Sequence, residues 1–289
     1  MTIQDAYKQL MYQLFELYDD RESTNIANMV IEHVIGLKRI DRIIHKQLPL
    51  NKRQEEIFIQ YSNELLKKKP VQYVLHEAWF AGMQLYVDEN VLIPRPETEE
   101  LVEWVIKEVS GFQFPVSSLL DVGTGSGCIP VALKKKLPEI NVQAIDVSEK
   151  ALLVAQKNAS MQSTTITFLH TDILDKNKWN SFPNFDIIVS NPPYIKQTEK
   201  NGMRENVVGH EPHIALFVPD EDALLFYRTI AEFGLQHLSN NGKLFFEINE
   251  ALGKEVSMLL EQHGYINIEL RKDLQEKDRM IMATVSKLF

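Results

Sequence analysis

From Ser117 onward, strand-like segments alternate with segments of helical periodicity, and this alternation constrains the fold more than any other feature. Apolar and β-branched runs such as NVQAIDV and FDIIVSNP are separated by stretches such as SEKALLVAQKNASMQ, whose apolar residues recur at helical spacing. Regular β–α–β alternation predicts a mainly parallel sheet of seven strands covered by helices on both faces. Only a few polar residues separate the last two runs, INIELRKDL and DRMIMATV, so we expect an antiparallel hairpin at the sheet edge.

The first 70 residues have no strand pattern. Ile3, Tyr7, Leu10 and Leu14 recur at helical spacing, and the stretch from Ile26 to Leu37 repeats the pattern. Asn51, followed three residues later by Gln54, resembles a capping box at the start of a further helix that ends in a basic run before Pro70. Residues 1–70 are therefore predicted to form a small helical domain. From its position and polarity, we expect this domain to recognise a substrate.

Residues 71–95 have a different character. VQYVL and MQLYVDENVLI are rich in β-branched and aromatic residues, with a turn signal at DEN, so we expect a linker that contains a β-hairpin. PETEELVEWVIKEV then returns to helical spacing, with Pro96 in its first turn. Residues 96–289 are predicted to form the main α/β domain. Its longest polar stretch, Lys196 to Pro212, is expected to be a binding or lid loop.

Composition excludes several functional classes. No apolar run approaches the roughly 20 residues of a membrane helix, and the first residues resemble neither a signal peptide nor a transit peptide, so we expect a cytoplasmic protein without a membrane partner. The single cysteine, Cys128, allows neither an internal disulfide nor a cysteine-based metal cluster, and we expect no metal. The net charge of −9 disfavours nucleic acid as a direct substrate. We expect a monomer.

A glycine-rich segment, LLDVGTGSGC, follows the first strand of the main domain. Gly123, Gly125 and Gly127 let the backbone turn tightly and approach a ligand next to a helix N-terminus. A dinucleotide fingerprint requires a third glycine at position 128, where this chain has Cys128, and the ending typical of a P-loop is also missing. The loop therefore favours neither NAD nor a nucleoside triphosphate, although a purely structural turn remains an alternative.

Acidic residues end three consecutive strands. Asp121 precedes the glycines, where it would repel a pyrophosphate but suits the amino end of S-adenosylmethionine. Asp146 lies 25 residues on, where a carboxylate accepts hydrogen bonds from ribose hydroxyls, unless it or Ser148 only caps the following helix. Asp172, or the neighbouring amide of Ile173, ends the third strand and can meet an adenine ring. The pattern predicts a bound adenosyl cofactor.

The fourth strand ends in SNPPY. Two prolines hold Asn191 and Pro192 extended and remove competing N–H donors, and in a doubly wound sheet this strand lies beside the first. The side-chain oxygen of Asn191 and the carbonyl of Pro192 can then accept both hydrogens of a planar NH₂ group that attacks a methyl sulfonium. Tyr194 would pack against that flat group. The alternative is that the Pro-Pro turn merely ends a strand.

These stretches resemble a known family. DVGTGSG, VSNPPYI and, upstream, VLIPRPETEELV are similar to the HemK/PrmC-type protein-(glutamine N5) methyltransferases, which modify the Gly-Gly-Gln glutamine of peptide chain release factors. The resemblance extends over most of the chain, including KPVQYVL and FFEINEALG. It implies a Rossmann-like class I methyltransferase domain that is S-adenosylmethionine-dependent, with a release factor as its partner.

The resemblance also implies roles for single residues. The cofactor would be held by the residues at the ends of the strands, and the substrate glutamine by the Asn-Pro-Pro-Tyr turn and the PRPE segment. The cofactor set implied by the resemblance is Asp121, Val122, Gly123, Thr124, Gly125, Asp146 and Asn191, and the strand-end pattern adds Asp172 and Ile173. The substrate set is Asn191, Pro192, Pro193, Tyr194, Arg95 and Glu97, of which Asn191, Pro192 and Tyr194 would be catalytic. Pro96 and Thr98 would border the same cleft.

Three points in this interpretation stay open. Arg95 and Glu97 are equally consistent with an ion pair that braces their loop. The family pattern leads us to expect a glycine within LHEA, at Leu75 to Ala78, and at the position of Glu276, and this chain has none there. The rival functions are an amino-methyltransferase acting on DNA, a ribosomal-protein glutamine methyltransferase and a non-catalytic nucleotide-binding protein.

Overall fold

The computed structural model describes residues 1–111 and 116–287. The helices, in chain order, are α1 Ile3–Leu14, α2 Asp20–Ile35, α3 Arg39–Ile44, α4 Lys52–Leu65, α5 Val71–Leu75, α6 Pro96–Ser110, α7 Cys128–Lys136, α8 Glu149–Met161, α9 Glu205–His210, α10 Leu225–His237 and α11 Gly253–Gln262. The strands are β1 Ala78–Phe80, β2 Met83–Leu85, β3 Ser118–Val122, β4 Asn141–Asp146, β5 Thr167–His170, β6 Phe185–Ser190, β7 Ile195–Lys196, β8 Phe217–Val218, β9 Leu238–Glu247, β10 Ile266–Lys272 and β11 Asp278–Thr284. Short 3₁₀ helices cover Lys176–Ser181, Gln197–Gly202 and His213–Ala215.

The chain divides into two compact units. The first, here called the helical unit, consists of Met1–Glu77 together with Arg204–His210. The second, here called the sheet unit, consists of Ala78–Met203 and Glu211–Phe289. The return of Arg204–His210 to the helical unit has no signal in the local sequence, because it depends on contacts between residues far apart in the chain.

Capping side chains explain where two helices of the helical unit begin. The Asn51 side chain accepts from the backbone N–H of Gln54 at 3.0 Å, and the Gln54 side chain accepts from that of Asn51 at the same distance. This confirms the predicted capping box at the start of α4. Thr2 and Asp5 form an equivalent box before α1. Each box satisfies two backbone donors that a helix N-terminus leaves without partners.

The expected strand character of VQYVL is wrong, because these residues form α5. The carbonyl of Pro70 accepts hydrogen bonds from the backbone N–H groups of Tyr73 and Val74, at 3.0 and 3.1 Å. Val71 and Leu75 are buried in the hydrophobic core of the helical unit. Strand propensity describes how a side chain fits a half-buried pleated surface, so packing against neighbouring helices overrides it here.

A hairpin is present in the predicted linker, but not at DEN. β1 and β2 pair antiparallel, with Phe80 opposite Met83. Ala81 and Gly82 both have positive φ, 48° and 74°, as a tight two-residue hairpin turn requires. DEN instead forms a separate turn in which a carboxylate oxygen of Asp88 accepts from the backbone N–H of Asn90 at 3.0 Å.

The seven-stranded sheet has the order β10-β11-β9-β6-β3-β4-β5. β3, β4, β5, β6 and β9 pair in parallel, whereas β11 is antiparallel to both of its neighbours. This confirms the predicted parallel sheet with an antiparallel edge hairpin. It also confirms that the fourth strand of the series, β6, lies beside the first, β3.

Both faces of this sheet are buried by helices. Leu120, Ile188 and Phe246 belong to one hydrophobic cluster, which also contains side chains of α10 and α11. Their preceding neighbours Leu119, Ile187 and Phe245 belong to another cluster, which contains side chains of α6 and α7. Adjacent residues thus point to opposite faces, and continuous apolar runs are the expected sequence of strands buried on both sides.

The segment from Lys196 to Pro212 is more ordered than the predicted loop. It contains the 3₁₀ helix Gln197–Gly202 and the helix α9. In the helical unit, Glu205 forms an ion pair with Lys68, and His210 lies 3.2 Å from the carbonyl of Lys67. Across residues 1–111 and 116–287, no helix has the length and apolar character needed to cross a membrane.

Two positions where the family resemblance leads us to expect glycine have left-handed backbones. His76, which ends α5, has φ of 54°, and Glu276, in the turn between β10 and β11, has φ of 62°. A residue with a Cβ is strained in this region, whereas glycine enters it freely. The local turn geometry is therefore kept although the residue type differs.

Glu276→Gly should raise the free energy of unfolding by about 1 kcal/mol, because it removes left-handed strain at an exposed position. Glu276→Ala is the matched control, since it also loses the exposed ion pair with Lys272 but retains a Cβ. Chemical denaturation of the whole protein measures the free energy of unfolding of both variants. An equal change in the two variants would contradict backbone strain as the cause.

Candidate active site

The glycine loop joins β3 to α7, and its three glycines serve two purposes. Gly123, Gly125 and Gly127 all have positive φ, at 75°, 52° and 77°. A Cβ at Gly123 or Gly125 would meet no atom within 4 Å, so open space lies beside the loop there. A Cβ at Gly127 would lie 2.9 Å from the Cβ of Ala155, so this glycine permits close packing of α7 against α8. Two of the three glycines thus border open space, and the third allows two helices to approach each other.

Asp121 is completely buried one residue before β3 ends. Neither of its carboxylate oxygens has a hydrogen-bond partner among the described residues. Burial raises the pKa of Asp121 to about 7, the neighbouring hydroxyl of Thr124 opposes the rise, and the nearby charge of Asp146 adds to it. A buried carboxyl without a partner is costly in a folded protein and is characteristic of a site that receives a cationic ligand group.

Asp146, at the end of β4, braces the glycine loop. Its two oxygens accept from the backbone N–H of Gly125 at 2.8 Å and of Ser148 at 2.9 Å. Ser148, not Asp146, is the N-cap of α8, because its side chain accepts from the N–H of Ala151. Burial raises the pKa of Asp146, and the backbone hydrogen bonds oppose that rise. Each carboxylate oxygen keeps a further lone pair for a ligand hydroxyl.

The third strand end lies close to Asp146, since the backbone N–H of Thr171 donates to the carbonyl of Asp146 at 3.0 Å. Asp172 follows, and its side chain accepts from the N–H of Leu174 at 2.9 Å. Ile173 is buried in the core. Acidic residues from three consecutive strands therefore reach the same edge of the sheet, as parallel pairing requires.

One cavity brings the glycine loop and the Asn-Pro-Pro-Tyr turn together. Of the predicted site residues, Arg95, Gly123, Thr124, Gly125, Asn191 and Pro193 line it. Thr98, Ser126 and Cys128 are further lining residues. Glu97, Asp121, Val122, Asp146, Asp172, Ile173, Pro192 and Tyr194 are not among the residues that line it.

Asn191 belongs to a buried network that ends at Glu247, the last residue of β9. The amide nitrogen of Asn191 donates to the hydroxyl of Thr98 at 3.3 Å. Thr98 donates to one carboxylate oxygen of Glu247 at 2.6 Å, and the hydroxyl of Tyr194 donates to the other at 3.3 Å. One carboxylate thus connects both ends of the turn.

Glu247 was missed by the sequence analysis. Within FFEIN it follows two buried phenylalanines at the end of a strand, and Asp121, Asp146 and Asp172 likewise lie at strand ends, so the same signal was available. Burial raises the pKa of Glu247 to about 7, while the hydrogen bond from Thr98 and the charge of Arg279 oppose the rise. Its position follows from the pairing of β9 with β6, in which Ser190 lies opposite Phe246.

The proposed ion pair between Arg95 and Glu97 is wrong. Arg95 donates to Glu211 at 2.6 Å, and the side chain of Glu211 is 1% exposed. Glu97 instead accepts from the side chain of Gln275 at 3.4 Å. Sequence proximity suggested Glu97, but the partner lies 116 residues away in the chain.

Comparison with known proteins gives the family. Residues 5–75 match the family model of the PrmC N-terminal domain, and residues 106–211 match that of the methyltransferase small domain. A release factor glutamine methyltransferase of Flavobacterium psychrophilum is 47% identical, over 97% of this chain and 98% of the relative. This chain belongs to the release factor glutamine methyltransferases.

A further relative agrees with this family, and one solved structure shares the fold. A release factor glutamine methyltransferase of Bacteroides thetaiotaomicron is 40% identical, over 93% of this chain and 95% of the relative. Among solved structures, the Thermus thermophilus 16S rRNA N2 G1207 methyltransferase in complex with AdoMet and guanosine matches with a TM-score of 0.52 and 18% identity. That match covers 72% of this chain and 49% of the Thermus chain, and it shows a shared methyltransferase fold.

Replacing Asp121 by asparagine should stabilise the ligand-free protein in a pH-dependent way. Folding raises the pKa of Asp121 to about 7. The folded protein therefore loses stability as the pH rises from the pKa of this acid in the unfolded chain toward about 7. Asp121→Asn removes this loss, so its gain in free energy of unfolding should be roughly 3 kcal/mol larger at pH 8 than at pH 5. Chemical denaturation of the wild type and the variant at the two pH values measures this gain. An equal gain at pH 5 and pH 8 would contradict a raised pKa for Asp121.

Proposed function

We propose that this chain transfers a methyl group from S-adenosylmethionine to the side-chain amide nitrogen of the Gly-Gly-Gln glutamine of a peptide chain release factor. The observation that carries the proposal is that a single cavity is lined both by Gly123 and Gly125 and by Asn191. A cofactor at the loop and an amide at the turn would therefore meet. The names of the relatives in this family support the release factor as the substrate.

The residues at the glycine loop fit S-adenosylmethionine. Its amino and sulfonium groups are cationic, and Asp121 offers a buried carboxylate whose oxygens have no partner among the described residues. Asp146 would accept ribose hydroxyls, and Asp172 with the amide of Ile173 would lie toward the adenine. When bound, the cofactor supplies a methyl group on positively charged sulfur.

The Asn-Pro-Pro-Tyr turn would hold the glutamine amide. The nitrogen of the Asn191 amide already donates to Thr98, so its oxygen is left for another donor. That oxygen and the carbonyl of Pro192 would accept the two amide hydrogens of the substrate. Two fixed acceptors orient the nitrogen lone pair and stabilise the positive charge that develops as nitrogen attacks. The nitrogen then releases one proton, so no strong base is needed before transfer.

We also propose that the helical unit contacts the release factor and that the enzyme acts in the cytoplasm. The support for this contact is a set of exposed apolar side chains in α3 and in the segment that follows it. Ile40, Ile44 and Leu48 are 65%, 68% and 52% exposed. Clusters of exposed apolar side chains are a feature of protein interaction surfaces. Such a contact would give a whole release factor a lower KM than a short peptide that carries Gly-Gly-Gln.

Label transfer from methyl-labelled S-adenosylmethionine tests the function. Label should enter a release factor, should be absent when its Gly-Gly-Gln glutamine is replaced by glutamate, and should be absent from duplex DNA. Mass spectrometry should place the methyl group on the glutamine side chain. Label on DNA, on a ribosomal protein instead of the release factor, or on no substrate would overturn the proposal.

Asn191→Ala should lower kcat on the release factor by about 100-fold or more, because it removes one of two acceptors for the reacting amide. Binding of S-adenosylhomocysteine, measured by calorimetry, should change far less. Asn240→Ala is the matched control, since this exposed asparagine lies near the start of β9, at the opposite end of the strand from Glu247, and does not line the cavity. An Asn191→Ala variant with normal kcat would favour a purely structural turn.

A further inference from the structure

Glu247 is a buried acid to which the reaction described above gives no role. It is 2% exposed, and burial of a carboxylate is unfavourable unless hydrogen bonds compensate. Its compensating donors are two hydroxyl groups, those of Thr98 and Tyr194, one on each carboxylate oxygen. Both donors belong to segments that border the predicted glutamine site.

The hydroxyl of Thr98 decides which way the Asn191 amide faces. A hydroxyl has one proton, and that of Thr98 points to Glu247 over 2.6 Å. Toward Asn191, Thr98 can then only accept, so Asn191 must present its NH₂ group. The opposite orientation would set the amide oxygen against the lone pairs of Thr98.

We propose that Glu247 and Thr98 are positioning residues, which hold the Asn191 amide so that its oxygen faces the substrate glutamine. This inference rests on the proposed function. The ionised carboxylate of Glu247 orients the Thr98 hydroxyl, and that hydroxyl orients Asn191. An Asn191 amide turned the other way would offer two hydrogens to the two hydrogens of the substrate and could not bind it productively.

The same carboxylate holds the far end of the turn. Tyr194 packs against the hydrophobic core, and its hydroxyl donates to Glu247. Burial and the negative charge of Glu247 raise the pKa of Tyr194, so its hydroxyl stays protonated and remains a donor. Asn191 and Tyr194 are thereby tied to one rigid point at the end of β9.

The charge of Glu247 also makes the network sensitive to pH. Burial raises its pKa to about 7. A protonated Glu247 can donate to Thr98, whose own proton is then free to turn toward Asn191 and reverse its amide. The charged and titratable groups that act on Glu247 or feel its charge are Arg279, Glu97, Tyr194, Tyr227 and Cys128. At saturating cofactor, kcat should therefore rise as the pH increases through about 7.

Thr98 offers a matched pair of variants for the test. Thr98→Val keeps the shape but removes the hydroxyl, whereas Thr98→Ser keeps the hydroxyl. Thr98→Val should lower kcat on the release factor by about 10- to 100-fold, with little change in S-adenosylhomocysteine binding by calorimetry, and Thr98→Ser should stay near the wild type. Glu247→Gln should lower kcat similarly and abolish the rise with pH.

The outcomes separate this inference from the proposed function. If the wild type does not methylate the release factor, the proposed function fails. If the wild type does, but Thr98→Val keeps kcat within twofold or Thr98→Ser loses as much as Thr98→Val, the positioning role is overturned. The Thr98 pair decides the question even if Glu247→Gln does not fold. An unchanged pH profile in a folded Glu247→Gln variant would also overturn it.

Discussion

The parallel pairing of β3 with β6 is the constraint on which the rest of the site depends. Val122 lies opposite Ser190, and the Ser190 hydroxyl donates to the carbonyl of Val122 at 2.7 Å. Because both strands end at the same edge, the glycine loop that follows β3 and the turn that follows β6 leave the sheet side by side. Two segments nearly 70 residues apart in the chain therefore line one cavity.

Buried acids complete this edge, and burial of a carboxylate is unfavourable unless a partner compensates. Asp121 and Glu247 are fully desolvated, and burial raises the pKa of each to about 7. Their settings differ, because Glu247 receives two hydroxyl donors whereas Asp121 receives none among the described residues. The proposed roles follow this difference. We propose that Asp121 binds a cationic ligand group and that Glu247 holds the internal geometry of the turn.

Local signals predicted the parts of the fold that depend on nearby residues. The alternation after Ser117, the capping box at Asn51 and the positions of the glycine loop and the Asn-Pro-Pro-Tyr turn are encoded within a few residues each. The errors arose where distant packing decides. VQYVL is helical because it packs in the helical unit, and Arg95 pairs with Glu211, 116 residues away. The link from Thr98 to Glu247 spans 149 residues and follows only from the sheet order.

We propose that Asn191 and Pro192 together receive the substrate amide beside the cofactor. A crystal structure with S-adenosylhomocysteine and a peptide containing Gly-Gly-Gln tests it most directly. We expect the glutamine amide nitrogen to lie about 3 Å from both the Asn191 side-chain oxygen and the Pro192 carbonyl, with Thr98 still bonded to Glu247. A glutamine bound away from this turn, or facing the Asn191 nitrogen, would show that the turn does not receive the substrate amide.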